Sequence, residues 1–315
     1  MNERRRPRPR LLVVSSLLVG ALAAGCSERA PTALTVAVSS EVPVPETVDR
    51  VQIRVEYEGR GKFDQTYDLD ASGGDARIPG TLTLVREDDD TTGPVRVTVT
   101  AVNRATGGAT VVRQAIVGFS EERTKLLRMP LRFSCLDFPG TCAEGETCKA
   151  GACAPASADP DALPDYDEAQ VFGRVGDGRC FDRAACVPKD QTIDLTALVR
   201  ATKDDRCEVA LADVASPAAT EPAPKPAGAG PRPLAATSER LNFGVVWSRN
   251  PSGKWTAVDH DPEEGWSFTD ETRARVRFAP GLCRAIRGEL PGVSVVKVIA
   301  NGACAPKPPT QPECQ

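Results

Sequence analysis

The sequence predicts a mainly β protein in which two sandwich-like domains flank a small disulfide-rich module. Three observations favour this class. Apolar residues alternate with polar ones from about residue 34, glycine (26) and proline (27) are frequent in the 315 residues, and there are eleven cysteines. Alternation is typical of half-buried strands, and frequent turn formers favour strands and loops over long helices. The cysteine content indicates an oxidising compartment outside the cytoplasm.

Residues 1–25 are predicted to be a secretory signal peptide. A basic segment containing Arg4, Arg5 and Arg6 precedes an apolar run of 14 residues from Leu11 to Ala24. A membrane-spanning helix needs roughly 20 residues, so this run is too short to span a bilayer. A buried N-terminal helix is the alternative. A signal peptide is removed on export, so this segment is not expected to be part of the folded protein.

The end of the signal, Leu22-Ala23-Ala24-Gly25-Cys26, resembles the lipobox of bacterial lipoproteins. It departs from that pattern in carrying Ala23 where leucine is usual, and cleavage after Ala23 at an A-x-A site is the alternative. The resemblance implies an acylated Cys26, a membrane-anchored tether over residues 26–33 and, because Ser27 follows the cysteine, an outer-membrane location. Acylation also leaves ten cysteines, which can pair completely.

Residues 34–133 are predicted to form an immunoglobulin-like β-sandwich. About seven strands in 100 residues, separated by glycine-rich turns, are typical of that fold, although its Cys…Trp…Cys signature is missing. The apolar sets that define the strands are Leu34–Val38, Val51–Tyr57, Leu82–Leu84, Val95–Val99, Val111–Val117 and Leu127–Phe133.

Residues 134–156 form the disulfide-rich module, with Cys135, Cys142, Cys148 and Cys153. Zinc sites prefer closely spaced cysteine pairs, and no histidine is near, so two disulfides are the better interpretation. Four cysteines allow three connectivities. We favour Cys135–Cys148 with Cys142–Cys153.

The segment Cys142-Ala-Glu-Gly-Glu-Thr-Cys148-Lys-Ala-Gly-Ala-Cys153 resembles the small TC-x-x-G-x-C modules of myxobacterial-type exported lipoproteins. Those proteins also lead from a β-sandwich into the first cysteine, as Phe133-Ser134-Cys135 does here. The resemblance implies architecture and cellular location, and it implies little about function.

Residues 157–170 are predicted to be an acidic linker. Its aspartates suggest a calcium loop, but Leu163 and Pro164 occupy the places of a ligand and of the glycine in the EF-hand pattern. A solvated linker is therefore expected.

Residues 171–315 are predicted to form a C-terminal, disulfide-stapled β-sandwich. The Pro/Ala-rich stretch 216–237 is expected to be an extended insertion in it. A bridge between Cys304 and Cys314 is expected to hold the tail. The strand candidates are Thr192–Val199, Glu208–Val214, Leu241–Trp247, Arg273–Phe278 and Val293–Ala300, and the six cysteines are Cys180, Cys186, Cys207, Cys283, Cys304 and Cys314.

Few catalytic mechanisms fit this sequence. His260 is the only histidine, and no nucleophile elbow, phosphate-binding glycine loop or H-E-x-x-H motif is present. A net charge of −4 does not favour a nucleic-acid partner. We expect no cofactor and no metal. Carboxylate-pair hydrolysis needs only two acids, and Asp259, Asp261, Glu263 and Glu264 lie close together.

The three tryptophans, Trp247, Trp255 and Trp266, lie within 20 residues of one another. Trp255 and Trp266, together with Asp259 and Asp261, are candidates for a sugar-binding cleft. The alternative is that the indoles are core anchors, which we favour for Trp247. We therefore expect a non-catalytic binding or structural module of the cell envelope, with a polysaccharide or an envelope protein as partner. A carboxylate-dependent hydrolase of a surface polymer and a spacer subunit are the alternatives.

Overall fold

The computed structural model describes residues 31–42, 44–45, 47–69, 76–86, 93–105, 109–138, 141–172, 180–187, 192–211, 240–248, 255–290, 294–311 and 313–314. The signal peptide, Cys26 and the insertion 216–237 lie outside the described residues. The fold is mainly β and carries five disulfides, which confirms the predicted class. In the described part of the chain, no helix is long and apolar enough to cross a membrane.

The N-terminal domain is a sandwich of two sheets. One sheet has the strand order β4-β1-β7, and the other has the order β6-β5-β2-β3, extended by the short strand β10 (Ser157–Ala158). β1 pairs parallel with β7 and antiparallel with β4. The seven main strands are β1 (Ala33–Ser40), β2 (Arg50–Tyr57), β3 (Arg60–Asp68), β4 (Gly80–Val85), β5 (Val95–Val102), β6 (Ala109–Val117) and β7 (Thr124–Leu131).

Alternation in the sequence gives this sandwich its core. In β2, Val51, Ile53 and Val55 are buried, and in β5 every second residue from Val95 to Ala101 is buried. Successive side chains of a strand point to opposite faces, so this period places one apolar row between the sheets.

The disulfide-rich module is a short hairpin of β8 (Glu146–Lys149) and β9 (Ala152–Pro155). The expected bridges, Cys135–Cys148 and Cys142–Cys153, are both present. The hairpin packs against β6, where the Gln114 amide donates to Thr147 Oγ1 at 2.8 Å. A 3₁₀ turn, Phe133–Cys135, connects β7 to it.

The segment 157–170, predicted to be a solvated linker, has no buried residue but follows the edge of the sandwich. Its first residues form β10 (Ser157–Ala158), which pairs parallel with the end of β6. The Leu126 amide then donates to Pro164 O at 2.9 Å, and the Tyr166 amide donates to Thr124 O at 2.8 Å. The unpaired edge of β7 offers these backbone groups to the segment, and the pairing outweighs its acidic composition.

The described residues of the C-terminal domain form two sheets and three short helices. The sheets have the orders β11-β17-β13-β14 and β12-β16-β15. The strands are β11 (Ile193–Asp194), β12 (Val209–Ala210), β13 (Asn242–Trp247), β14 (Thr256–Val258), β15 (Trp266–Phe268), β16 (Arg275–Phe278) and β17 (Val295–Asn301). The helices are α1 (Arg183–Cys186), α2 (Thr196–Ala201) and α3 (Pro280–Arg287), and a further 3₁₀ turn, Glu168–Gln170, precedes the domain.

Two local expectations for this domain are wrong. The predicted strand Thr192–Val199 is only two residues of strand followed by α2, which Asp194 helps to begin by accepting from the Thr196 amide and hydroxyl. Helix α3 was not expected. It begins with Pro280 and ends at Gly288, which has a positive φ of 76°, and both residues are typical of those positions.

The tail bridge expected between Cys304 and Cys314 is also wrong. Each of these cysteines pairs with a residue at the start of the domain, and a third bridge joins the loop before β12 to α3. The bridges are Cys180–Cys314, Cys186–Cys304 and Cys207–Cys283. We predicted the Cys304–Cys314 bridge because the two cysteines are close in sequence. In the fold, the C-terminal tail instead lies beside the first residues of the domain, Cys180 and Cys186.

The two domains share a continuous hydrophobic core. At the junction, the Phe133 ring stacks on the indole of Trp247 with ring centroids 4.4 Å apart. Trp247 is buried, as predicted for a core anchor. Such stacking contributes about 0.5–1.5 kcal/mol beyond the area buried.

Candidate functional site

The candidate site is a cleft of about 600 Å³ between the two domains, which we call the interdomain cleft. Its sandwich side presents Glu41, Arg113, Arg128 and Arg132, and the disulfide-rich module adds Lys149. The C-terminal side presents Arg183, Trp255, Asp259, Asp261, Glu263, Glu264, Lys307 and Glu313. The lining is therefore dense in charges of both signs.

Arg132 is the centre of a charge cluster that crosses the domain boundary. β1 and β7 run parallel, so Glu41 and Arg132, which follow them, lie at the same end of the sheet. Arg132 Nη1 donates to Glu41 Oε1, and Nη2 donates to Asp259 Oδ2 of the C-terminal domain at 2.8 Å. The Arg132 side chain is only 9% exposed, so this is a buried ionic contact between domains.

Asp259 has a second cationic partner, Lys307. Lys307 Nζ contacts Asp259 Oδ1, and the Lys307 amide donates to Asn242 Oδ1 at 2.9 Å. Asn242 Nδ2 in turn donates to the carbonyls of Cys304 and Ala305. The tail is thereby held beside β13, with the ammonium group pointing at the Asp259 carboxylate.

A second buried pair joins Arg113 of β6 to Glu264. Arg113 Nη1 and Nη2 donate to Glu264 Oε1 and Oε2 at 2.8 and 2.9 Å, a two-point contact between guanidinium and carboxylate. Arg113 Nη1 also donates to Cys148 O, and the Ala150 amide donates to Glu264 Oε1. This pair therefore connects the sandwich, the disulfide-rich module and the C-terminal domain.

The acids of the cleft have pKa values shifted in opposite directions. Burial alone would raise the pKa of Asp259 and of Glu264, but the adjacent cations, Arg132 with Lys307 and Arg113 respectively, outweigh burial and hold both values below their usual range. For Glu41, burial raises the pKa and the opposing effect of Arg132 is smaller, so the net shift is upward. Burial also raises the pKa of Glu313, so Glu41 and Glu313 take up a proton more easily than Asp259 and Glu264 do.

The structure separates the residues predicted to bind a sugar. Trp266 is fully buried, and its indole Nε1 donates to Val258 O at 3.1 Å, so of the two roles considered for it the structure shows the core anchor. Its large apolar ring packs edge-to-face against Phe243 of β13, between the two sheets of the domain. Asp259 lines the cleft, but both of its carboxylate oxygens contact cations, Arg132 and Lys307. Asp261 also lines the cleft and accepts from the Glu263 amide.

Trp255 lines the cleft, but its ring is largely covered. It packs against Ile299, and a Cβ on Gly244 would lie 2.6 Å from Trp255 Cε3, so glycine is needed there. The Arg183 guanidinium lies over the ring, with Cζ 5.5 Å from the ring centroid. Trp255 is therefore a wall of the cleft more than an open stacking platform.

His260 is partly buried and packs against the rings of Trp266 and Phe268. It lies 4.7 Å from the Trp266 ring, and burial followed by the charge of Arg273 lowers its pKa. In the described part of the chain, no group of three or more His, Cys, Asp or Glu side chains is placed to hold a metal ion.

The basic residues of the cleft were not predicted from the sequence. Arg113 lies on the same face of β6 as the buried residues Val111, Ala115 and Val117. A charged residue at an inward position of an alternating strand needs a partner, and that was the available signal. Lys307 lies outside the strands, so no alternating pattern in the sequence indicates that it is buried.

Comparison with known proteins finds no relative: no protein-family model, no curated protein and no solved structure matches this chain. Inferences about function therefore start from the interdomain cleft.

Proposed function

We propose that this protein is an exported, lipid-anchored module of the cell envelope that binds a polysaccharide or an envelope protein in its interdomain cleft without catalysing a reaction. The resemblance of Leu22–Cys26 to a lipobox supports the anchor. Five disulfides support folding in an oxidising compartment.

One observation carries the binding role: the buried ion pairs at the cleft connect the two domains. Arg132–Asp259 and Arg113–Glu264 fix the cleft's opposite walls, and Phe133 and Trp247 stack behind them. A preformed cleft binds a ligand without a large ordering cost. The same pairs occupy the Asp259 and Glu264 carboxylates, so these acids stabilise the walls instead of acting on a substrate.

A single observation favours the second candidate, a carboxylate-dependent hydrolase. Glu41 and Asp259 contact the same guanidinium, and their pKa values are displaced in opposite directions. Such a difference separates a proton-donating acid from an ionised carboxylate. Turnover of a surface polysaccharide that disappears in Glu41→Gln would establish this alternative.

The experiment is a binding screen with bacterial and plant polysaccharides, read by calorimetry. Ser39 is exposed and lines the cleft, so Ser39→Trp should fill it, whereas Thr66→Trp on the outer strand β3 is the matched control. We expect saturable binding that Ser39→Trp abolishes and Thr66→Trp preserves, with no turnover. A flat screen, together with no protein cross-linked through a photoreactive residue at position 39 in cells, would refute the binding role.

The anchor is tested separately by metabolic labelling with a fatty acid. We expect label on the wild-type chain and none on Cys26→Ser. Equal labelling of both would refute acylation at this cysteine.

A further inference from the structure

Arg128 of β7 is an exception among the cations of the interdomain cleft. Within the described lining, each of the other basic side chains contacts a carboxylate: Arg113 with Glu264, Arg132 with Glu41 and Asp259, Lys149 with Glu263, Arg183 with Glu313, and Lys307 with Asp259. Arg128 instead donates Nη1 to Gln170 O at 3.0 Å and Nη2 to Gln170 Oε1 at 3.1 Å. Both acceptors are neutral.

The position of Arg128 follows from the strand period. Leu127 and Met129 point into the sandwich, so Arg128 points to the outer face, which the segment around Val171 partly covers. The side chain is half-buried, and its Nε is buried with no acceptor among the described residues. Burial lowers the pKa of Arg128, and the more distant Asp259 only partly opposes this effect.

A half-buried guanidinium without a carboxylate is destabilising for the empty protein. A ligand carboxylate would remove that cost, because the planar fork of arginine matches two carboxylate oxygens. Besides its charged residues, the cleft lining includes uncharged hydroxyl and amide side chains, from Ser39, Gln170, Thr256 and Gln311. Groups of this kind hydrogen-bond the hydroxyls of a sugar ring.

From this arrangement we propose that the interdomain cleft binds an acidic saccharide of the uronic-acid class, with the sugar carboxylate on Arg128. This inference rests on the binding role proposed above and specifies its ligand. The hydroxyl and amide groups of the lining favour a saccharide over an acidic peptide, whose side chains carry few hydroxyls.

The test uses the detergent-purified full chain and calorimetry with galacturonate and glucuronate oligosaccharides. Their methyl esters are the matched neutral probes. We expect the acids to bind and the esters to bind at least about tenfold more weakly, as expected for loss of a charge-assisted hydrogen bond. Arg128→Gln should cause the same loss, whereas Arg123→Gln, an exposed residue outside the cleft lining, should leave binding unchanged.

Gln170→Glu is a second variant that keeps the test independent of any folding defect in Arg128→Gln. It places a carboxylate where Gln170 Oε1 now accepts from Arg128, so it should raise the thermal unfolding temperature and abolish binding of the uronates. Binding that is unchanged in both variants, equal binding of acid and ester, or preference for polyglutamate over uronates would overturn the assignment. Binding of neutral polysaccharides alone would overturn this assignment and leave the binding role intact, whereas no binding of any polysaccharide or protein would overturn both.

Discussion

Replacing Glu264 by glutamine removes one negative charge from a buried ion pair and keeps the size of the side chain. The Arg113 and Glu264 side chains are 10% and 6% exposed, and two hydrogen bonds join them. In the variant, Arg113 keeps the Cys148 carbonyl and one amide oxygen as acceptors, but its charge has no direct carboxylate partner.

The magnitude follows from burial. Breaking a buried pair by removing one partner costs about 3–5 kcal/mol, and because Arg113 retains two acceptors we expect a loss of about 3 kcal/mol for this variant. The neighbouring Glu263 pairs with Lys149 but is 65% exposed, and an exposed pair contributes only about 0–1 kcal/mol. Glu263→Gln is therefore a matched control with the same change of chemistry one residue away.

The assay is equilibrium unfolding in urea with the disulfides intact, followed by tryptophan fluorescence. Trp247 stacks on Phe133 at the junction, so its emission reports loss of contact between the domains. A loss of about 3 kcal/mol corresponds to a fall of roughly 4–5 °C in thermal midpoint, because a chain of 315 residues unfolds with an entropy of about 2.1 cal/mol/K per residue. It is also a large part of a typical total stability of about 5–15 kcal/mol.

The result that would refute this reasoning is a loss for Glu264→Gln no larger than that for Glu263→Gln. A second check is the double variant Arg113→Met with Glu264→Met. Replacing both partners of a buried pair by apolar side chains is often neutral, so the double variant should be more stable than Glu264→Gln. If the double variant is less stable than Glu264→Gln, the hydrogen bonds of the pair stabilise the fold beyond neutralising each other's charge.

Three further outcomes are expected. Because the folded-state pKa values of Asp259 and Glu264 lie below their ordinary values of 3.8 and 4.5, the stability they contribute is present above about pH 4.5 and is lost as the pH falls through and below these values. Urea midpoints between about pH 7 and pH 3 should therefore fall less steeply for Asp259→Asn than for the wild type, and parallel curves would contradict this. Gly281→Ala would place a Cβ 1.5 Å from Ala150 O, so it should lower the free energy of unfolding by about 1–3 kcal/mol or more. Gly61→Ala is the control, because a Cβ there has no atom within 4 Å and should have little effect. Equal thermal midpoints for the two variants would show that α3 and the hairpin can move apart without cost. Removing Cys207–Cys283 by double substitution with alanine should cost about 4 kcal/mol in urea unfolding, since the bridge closes a loop of 76 residues, and an unchanged midpoint would exclude this entropic contribution.

The sequence predicted those parts of the fold that depend on local patterns. The alternation of Val51, Ile53 and Val55 predicted β2 correctly, and the run before Ala300 predicted β17. α3 is an eight-residue helix whose stability comes from burying Leu282, Cys283 and Ile286, and tertiary burial of this kind leaves a weak signal in a short segment.

The site was predicted only in part, because its contacts link distant segments. The acidic cluster from Asp259 to Glu264 does lie at the cleft. Its partners Arg132 and Arg113 are 127 and 151 residues away from Asp259 and Glu264, and no local pattern in one sequence encodes such pairs. For the same reason, sequence alone could not distinguish a tryptophan beside charged turns that is buried, Trp266, from one that lines the cleft, Trp255.

The three disulfides of the C-terminal domain are nested. The bridge from Cys180 to Cys314 encloses that from Cys186 to Cys304, which encloses that from Cys207 to Cys283. In a chain that emerges from its N-terminus, the first three of these thiols are all exposed before any native partner arrives. Any bridge among them is non-native and must be exchanged, and closure then proceeds from the innermost ring outward. The outermost bridge can therefore close only after the last cysteine has emerged, and any non-native bridge formed before then has to be resolved by thiol–disulfide exchange, whatever ligand the cleft binds.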